Sequence, residues 1–508
     1  FKVVKFLRDT KNNSKYTISE IIEKIQKHID KQNYKDGFIE IFPSATKQKD
    51  LDSSPWFLFH KAKDEKILAK IEKIGKPLNS VFNINEGLVT GCNKIDSRIL
   101  NKITSEDIEQ YDIKSGDGVF VLSQEEVSKL KLNKFEKSFV RPFYKSSNIQ
   151  TYWIDESNNE SVLYLTKKVS ESKIPNIISH LGGDNGNGKF KNKLEMRREC
   201  QQKSIPWYSL QWPRNEDVFD GEKIVFPYRS PSSKFAYTQE PFYGASDMYF
   251  ITSKKEKNSN SKMDLKYLLG IINSTLFQFW FAHKSNVKDG KRELFGKRME
   301  IFPLVEIDFE NIEQVRSHDK IVKLTNNIIL KIKDLREMQK FYKNSIVDKF
   351  GMPIDQDKCM FDYAKLTKIL PDNKLRKISS VSTIKLPQTI DDFKIKSVQD
   401  VSKNFYASDP SMEFHLIVIK SNSKDFSIEG QKESLEILKE FLDSNIGNNY
   451  TGIWDSFLFP IDQELFKKSK EELVIKHKKM VNEIMTLYDS INDEVCKIYN
   501  VTSEQIIS

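Results

Sequence analysis

Lys223-Ile-Val-Phe-Pro-Tyr-Arg-Ser230 is a run of apolar and aromatic residues that closes on an arginine and a serine. Its first part, Lys223-Ile-Val-Phe226, reads as a strand, because β-branched and aromatic side chains fit a pleated, half-buried surface. Segments of the same texture recur on either side: Gly118-Val-Phe-Val-Leu122, Val162-Leu-Tyr-Leu165 and Met248-Tyr-Phe-Ile251. Glycine, asparagine and serine turns separate them, with a few helices between. Strand signals at this spacing predict a mixed, β-rich domain over residues 81–305.

Outside that region the chain turns helical. Ile18–Ile29 and Asp64–Ile74 carry amphipathic patterns, and Phe1-Lys-Val-Val-Lys-Phe-Leu-Arg8 reads as a strand bordering a further domain. Ile321, Leu324, Ile328, Ile332, Leu335, Met338, Tyr342 and Ile346 recur at steps of three and four, which predicts one long helix ending before Gly351. A strand-like His415-Leu-Ile-Val-Ile419 follows, then helices near Gln431–Leu442 and Glu472–Tyr499. Ser469 and Glu472 have the spacing of a capping box for the last one. The predicted class is α+β: a mixed, β-rich domain followed by a largely helical C-terminal region. Its segments are 1–80, 81–305, a helical connector 306–350, and 351–508.

At 508 residues the chain exceeds one compact core, and 38% hydrophobic with 30% charged residues is ordinary for a folded protein. The net charge of +9 permits a polyanionic partner only if the excess is clustered with aromatics. Cys92, Cys200, Cys359 and Cys496 are far apart and form no CxxC pair, which argues for reduced thiols and no cysteine-rich zinc site. The most apolar stretch, Leu265–Phe281, holds Lys266, Asn273 and Gln278 and is short of the roughly 20 apolar residues of a membrane span. A buried helix is expected there. The expected location is the cytoplasm, without membrane contact.

Catalytic signatures are missing from the sequence, and the expectation is no catalytic and no metal site in this chain. Gly188-Lys189 is followed by Phe190, so the glycines at 182–188 lack the hydroxyl and frame of a phosphate loop. No HExxH or GxSxG occurs, and His477 falls on an apolar helical stripe as a core histidine would. Asp409, Glu413 and Lys420 have the wrong spacing for a metal-dependent nuclease. No glycine-rich loop follows a leading strand, and no Asn-Pro-Pro-aromatic tetrapeptide is present.

The informative chemistry lies in residues 187–235. Lys189, Lys191, Lys193, Arg197 and Arg198 precede Trp207-Tyr208, Gln211-Trp212-Pro213-Arg214, Arg229-Ser230 and Lys234-Phe235. A second basic cluster, Lys288, Lys291, Arg292, Lys297 and Arg298, ends the region. Lysine and arginine neutralise phosphates, forked arginine and side-chain amides pair with base edges, and aromatics fix the frame. The expected double-stranded DNA contacts are Lys145, Lys193, Arg197, Arg198, Arg214, Arg229, Ser230, Lys234, Arg292, Lys297 and Arg298. Lys145, Lys193 and Lys297 suit phosphates more than bases. The bland alternative is a solvated basic face with Trp207 and Trp212 in a core.

Five ordered blocks sharpen the choice. They are Gly87-Leu-Val-Thr-Gly-Cys-Asn93; Val140-Arg-Pro-Phe-Tyr-Lys145; Leu194-Glu-Met-Arg-Arg-Glu-Cys200 with Gln211-Trp212-Pro213-Arg214; Lys223–Ser230; and Tyr267-Leu-Leu-Gly-Ile-Ile-Asn-Ser274 with Ile301-Phe-Pro-Leu304. Their order resembles the target-recognition domain of TaqI-type adenine-N6 DNA methyltransferases and their type IIG restriction–modification relatives. Ile95-Asp96 replaces the aromatic usual after the first block, and Asn148 stands where the family often has Asp.

The resemblance implies a DNA-reading module whose parent enzyme flips an adenine and methylates it from S-adenosylmethionine. No cofactor is expected in this chain. Residues 1–80 are then the tail of an upstream catalytic α/β domain with a connector, and the missing or separate methyltransferase domain is the expected partner. The competing reading is a helical scaffold or specificity subunit that acts with a separate catalytic chain.

Overall fold

A computed structural model describes residues 2–6, 18–31, 33–36, 39–43, 62–157, 159–183, 186, 188–254, 263–285, 287–288, 291–294, 296–344, 360–361, 363–366, 369–378, 381, 384–385, 394–403, 415–422, 425–447 and 458–507. Trp56-Phe57-Leu58-Phe59, Cys359, Asp409 and Glu413 lie outside the described residues. The chain divides into two compact units: residues 1–327 with 488–508, and residues 328–487.

In the first unit the opening strand Lys2–Phe6 has a partner of its own. It pairs antiparallel with Ile39–Pro43, which also pairs Tyr34–Lys35. The strand thus has a local partner along one edge. The helices Ile18–His28 and Ala62–Ile74 match the two amphipathic patterns.

Among the described residues of 81–305, eleven short strands build three sheets. In chain order they are β1 Phe82–Glu86, β2 Val121–Ser123, β3 Val140–Tyr144, β4 Glu160–Leu163, β5 Lys223–Pro227, β6 Arg229–Ser230, β7 Ala236–Thr238, β8 Tyr243–Gly244, β9 Met248–Ser253, β10 Val287–Lys288 and β11 Lys291–Glu293. They form a sheet β8-β3-β4-β2, a second sheet β7-β5-β9-β1, and a small third sheet β6-β11-β10. All these pairs are antiparallel except β8 with β3.

The two larger sheets share one core. Val121, Phe143, Val162 and Leu163 from the first and Val225 and Phe250 from the second belong to one buried cluster, together with Ile177, Leu181 and Phe190. Each fully buried side chain of this size contributes about 1.5–3 kcal/mol. All five residues of β5 are buried, which explains why its sequence shows no polar alternation. Lys223 is the exception in chemistry: it is fully buried, and its ammonium donates to the carbonyls of Gly221 at 2.6 Å and Glu240 at 2.8 Å.

The apolar stretch expected as one buried helix is two: α1 Leu265–Ile272 and α2 Thr275–Lys284. Asn273 and Ser274 break it. The Ser274 hydroxyl caps α2 by accepting from the Phe277 N–H at 3.3 Å, a role serine prefers to mid-helix. Among the described residues no helix is long and apolar enough to cross a membrane. Residues 488–508 belong to this unit: Tyr488 donates to the Asn273 carbonyl at 3.3 Å, and Tyr499 to the Pro303 carbonyl at 2.7 Å.

The long helix, α3, runs Ile312–Gln339, starting and ending earlier than its apolar stripe suggested. Tyr342–Asn344 is a strand paired with Met360–Phe361, so Tyr342 continues the helical spacing only by coincidence.

The second unit is a small sheet backed by a helix. His415–Ser421 pairs Phe426–Gly430, flanked by Ile384–Lys385, Ile395–Val398 and Ser402–Lys403. Ile417, Ile419 and Ile428 alternate inward against Leu435, Leu438, Phe441 and Leu442 of the helix α4, Lys432–Asp443. The long C-terminal helix, α5, spans Gln463–Ile498, so Ser469 and Glu472 sit inside it and cap nothing. Asp462 is the cap instead, accepting from the Leu465 N–H at 3.0 Å. His477 is 1% exposed, as a core histidine would be.

Candidate nucleic-acid interface

The first block, residues 87–93, fixes the floor of the recognition region. Gly87 packs so tightly that a β-carbon there would lie 2.1 Å from the Ala245 carbonyl oxygen. Leu88 bridges Ala245 in parallel, and Val89 bridges Trp212 antiparallel. Thr90 holds the turn by accepting from the Cys92 N–H at 3.1 Å. Gly91 has φ +85°, and a β-carbon would lie 2.5 Å from Cδ of Arg197. The block is a backbone hub.

Arg197 shows why. Its side chain lies inside the hub at 7% exposure. Nε donates to the Leu194 carbonyl at 2.8 Å, and Nη1 to those of Thr90 at 3.0 Å and Ser209 at 2.8 Å. Nη2 reaches the Trp207 carbonyl. A fork spent on four carbonyls is an internal staple, which takes Arg197 out of the surface set. Its neighbour Arg198 is exposed, and no side-chain partner is seen for it among the described residues.

Two more of the expected contacts turn inward. Ser230 is 2% exposed. Arg292 donates to the Ala282 carbonyl at 2.8 Å and to Ser285 Oγ at 3.3 Å, and burial pushes its guanidinium below its ordinary value. Both lie on one face of the small sheet, because residues opposite each other in an antiparallel pair share a face and Ser230 faces Arg292. Arg197, Ser230 and Arg292 therefore have structural placements that sequence could not separate from surface ones.

The other face of that sheet carries Arg229, opposite Glu293, and Lys291, opposite Lys288 in register. Arg229 Nη2 lies 3.0 Å from Glu293 Oε1, and its guanidinium lies 4.9 Å over the Tyr228 ring. Lys291 and the nearby Lys297 are exposed, while Lys234 and Arg298 are half-buried. Two basic segments about sixty residues apart in sequence thus meet on one three-stranded sheet.

The remaining residues stand elsewhere in the region. Lys145 and Lys94 both bind Glu160, at 2.9 and 2.8 Å. Burial works to raise that carboxyl, but the two ammonium groups outweigh it and hold it below the usual carboxylate range. Lys193 is half-buried on the short helix Lys191–Glu195. Arg214 donates to the Gly87 carbonyl at 3.2 Å, pairs with Glu86 at 2.7 Å and lies 5.7 Å over the Trp212 ring. Asn148, at the family's Asp position, clips a turn by accepting from the Lys145 N–H at 2.8 Å.

Among the described residues no group of three or more His, Cys, Asp or Glu could hold a metal ion. Lys420 pairs with Asp425 at 2.7 Å. Neither the sequence nor the described residues offer a glycine-rich loop after a strand that would fit a methyl donor.

What this arrangement defines is a sheet-built module with cations on outward faces. Residues 141–304 match the family model of the TaqI-like C-terminal specificity domain, so the recognition region is of the TaqI-like kind. Among curated proteins, type II methyltransferase M.BanIII of Aneurinibacillus aneurinilyticus is 28% identical over 181 residues, 35% of this chain and 29% of that one. Type II methyltransferase M.HincII of Haemophilus influenzae is 24% identical over 168 residues, 32% of each. The chain spans about three-tenths of the length of these relatives.

Solved structures with partial likeness include the type IIL restriction–modification enzyme MmeI in complex with DNA, with TM-score 0.33, 10% identity, 52% of this chain and 29% of that one. Another is a type I restriction–modification S subunit from M. genitalium, with TM-score 0.30, 8% identity, 83% of this chain and 95% of that one.

Proposed function

We propose that this chain selects the DNA site for a site-specific adenine-N6 methyltransferase or a type IIG restriction–modification enzyme. The observation that carries the proposal is the small sheet β6-β11-β10, where Arg229 and Lys291 are gathered from two distant basic segments. A solvated basic face needs no such convergence, whereas a two- or three-stranded ribbon is narrow enough to lie against a groove of the duplex.

Exposed cations with little competition from carboxylates, Arg198, Lys291 and Lys297, suit phosphates. Arg229 and Arg214 are held by a carboxylate and an aromatic ring each, which orients a fork for base edges. Lys145, Lys193, Lys234 and Arg298 complete the set as positioning contacts. Methyl transfer and S-adenosylmethionine belong to the methyltransferase moiety that this module serves, in the same polypeptide or in a separate chain.

The test is binding of the whole chain to a random pool of duplex DNA, followed by salt titration on the selected site. Specific binding whose affinity falls steeply with salt is expected. Absence of duplex binding at low salt would remove the proposal and leave the scaffold reading.

A further inference from the structure

Trp212 is an indole that Arg214 covers from one side and that is otherwise open. It is 47% exposed, while Trp280 is 1% exposed in the same unit. The exposure is not looseness. Trp212 exchanges two backbone hydrogen bonds with Val89, at 2.9 and 2.8 Å, and Pro213 restricts it further toward extended backbone.

The chain then turns through Arg214 at φ +64°, a left-handed conformation that an L side chain adopts only when its surroundings compel it. Here they do. Tyr164 donates to the Arg214 carbonyl at 3.0 Å, and the Arg214 side chain is tied to Gly87 and Glu86. A strained turn, secured from three sides, holds an apolar plane in the open.

The plane continues into a strip of alternating aromatic and charged groups. Arg214 lies over Trp212 and pairs with Glu86; Glu86 faces Tyr249 across β1 and β9. Tyr249 lies 6.3 Å from Tyr228, which underlies Arg229. The strip thus leads from Trp212 toward the small basic sheet. At its Trp212 end the arginine is already balanced by Glu86, so a phosphate finds little net charge there. A flat apolar face beside a neutralised charge pair matches the face of a nucleobase.

We infer that Trp212 stacks on a base that the duplex exposes at an opened or unpaired step, next to the positions contacted through Arg229. This rests on the DNA-site reading above and adds to it a base-stacking residue outside the set of cations. Trp212 is a positioning residue here, since no transferred group touches it.

The experiment uses the whole chain and two short duplexes of one selected sequence, one fully paired and one with a single mismatch. The unaltered chain should favour the mismatched duplex, where a base leaves its stack at lower cost. Trp212→Ala should lose about tenfold on the mismatched duplex and at most about twofold on the paired one, without change in the salt slope. Trp212→Phe keeps an aromatic face and should keep the preference. Equal losses on both duplexes, or a preference that survives in Trp212→Ala, overturns the stacking role while leaving DNA recognition standing. If the unaltered chain binds neither duplex, the DNA-site reading falls and takes this inference with it.

Discussion

Arg229 and Glu293 face each other across β6 and β11, Nη2 to Oε1 at 3.0 Å, while the Tyr228 ring lies beneath the guanidinium. The carboxylate and the ring leave the fork few orientations, which is what base reading requires and phosphate neutralisation does not. Arg229→Ala should weaken binding to the selected site by about five- to a hundredfold and relax preference at one position. Arg229→Lys restores the charge but not the planar fork, so it should recover affinity for random DNA and not selectivity. Affinities for the selected site and its single-base variants check this. Equal loss on every sequence would reduce Arg229 to a phosphate contact.

Arg197 and Arg198 are adjacent in sequence and opposite in expected effect. Arg197→Ala leaves the carbonyls of Thr90, Leu194, Trp207 and Ser209 without their shared donor. Loss on the order of 3 kcal/mol of stability is expected, because buried acceptors then lack partners. Arg198→Ala should stay within about 0.5 kcal/mol and lower the salt slope of DNA binding by about one counterion. Denaturant midpoints and salt titrations of both variants separate the roles. Equal stability of the two variants would mean that the staple carries no load.

That pair also marks the limit of what the sequence discloses. The alternating strands, the two basic clusters and the α+β class are local signals, carried by residue type and spacing within a few positions. Which of two neighbouring arginines turns inward depends on where Thr90 and Ser209 come together, and those are more than a hundred residues apart. The meeting of Arg229 with Glu293 is likewise a non-local pairing. Tyr342 and Ser469 misled for the opposite reason: each fits a local helical rule, yet a strand partner and a better cap at Asp462 decide the element. For Trp212 the sequence leaves core and contact both open, because only its exposed setting beside Arg214 distinguishes the two.

Gly91→Ala should be costly for two independent reasons. The backbone there has φ +85°, and the new methyl would lie 2.5 Å from Arg197 Cδ. Either strain alone is worth on the order of 1–3 kcal/mol. The expected loss of stability should be smaller in an Arg197→Ala background, where the clash is gone and only the backbone term remains. Thermal or denaturant unfolding of the four proteins in that cycle checks it. Strict additivity would mean that the clash is relieved by a shift of the loop.

His180 gives the recognition region a pH dependence with a definite sign. Its Nε2 lies 3.0 Å from the Val119 carbonyl, and burial, helped by Lys189, pushes the imidazole down to about 4 from 6.5. The folded state therefore holds it neutral where an unfolded chain would take up a proton. Stability is full above about pH 6.5 and falls as pH drops toward 4, by about 1–2 kcal/mol between pH 7.5 and 5. In His180→Gln this share of the acid sensitivity should vanish. Denaturant unfolding of both proteins at the two pH values reads the difference, and parallel losses would show that His180 is protonated at little cost.

Asn492 ties residues 488–508 to the exit of the recognition region. Its Oδ1 accepts from the Thr275 N–H at 2.9 Å and from the Thr275 hydroxyl at 3.2 Å, at the first turn of α2, and it is 6% exposed. The first N–H groups of a helix have no partner within it, so a buried one depends on such an acceptor. Asn492→Ala should cost about 1–3 kcal/mol and lower amide-exchange protection first at Thr275–Lys284. Asp489→Ala, at an exposed position three residues earlier, should change stability by no more than about 0.5 kcal/mol. DNA binding by the Asn492 variant should fall only as far as its folded fraction falls, because the residue supports α2 and touches none of the proposed contacts. A loss of binding at full folding would place the closing helix within the interface itself.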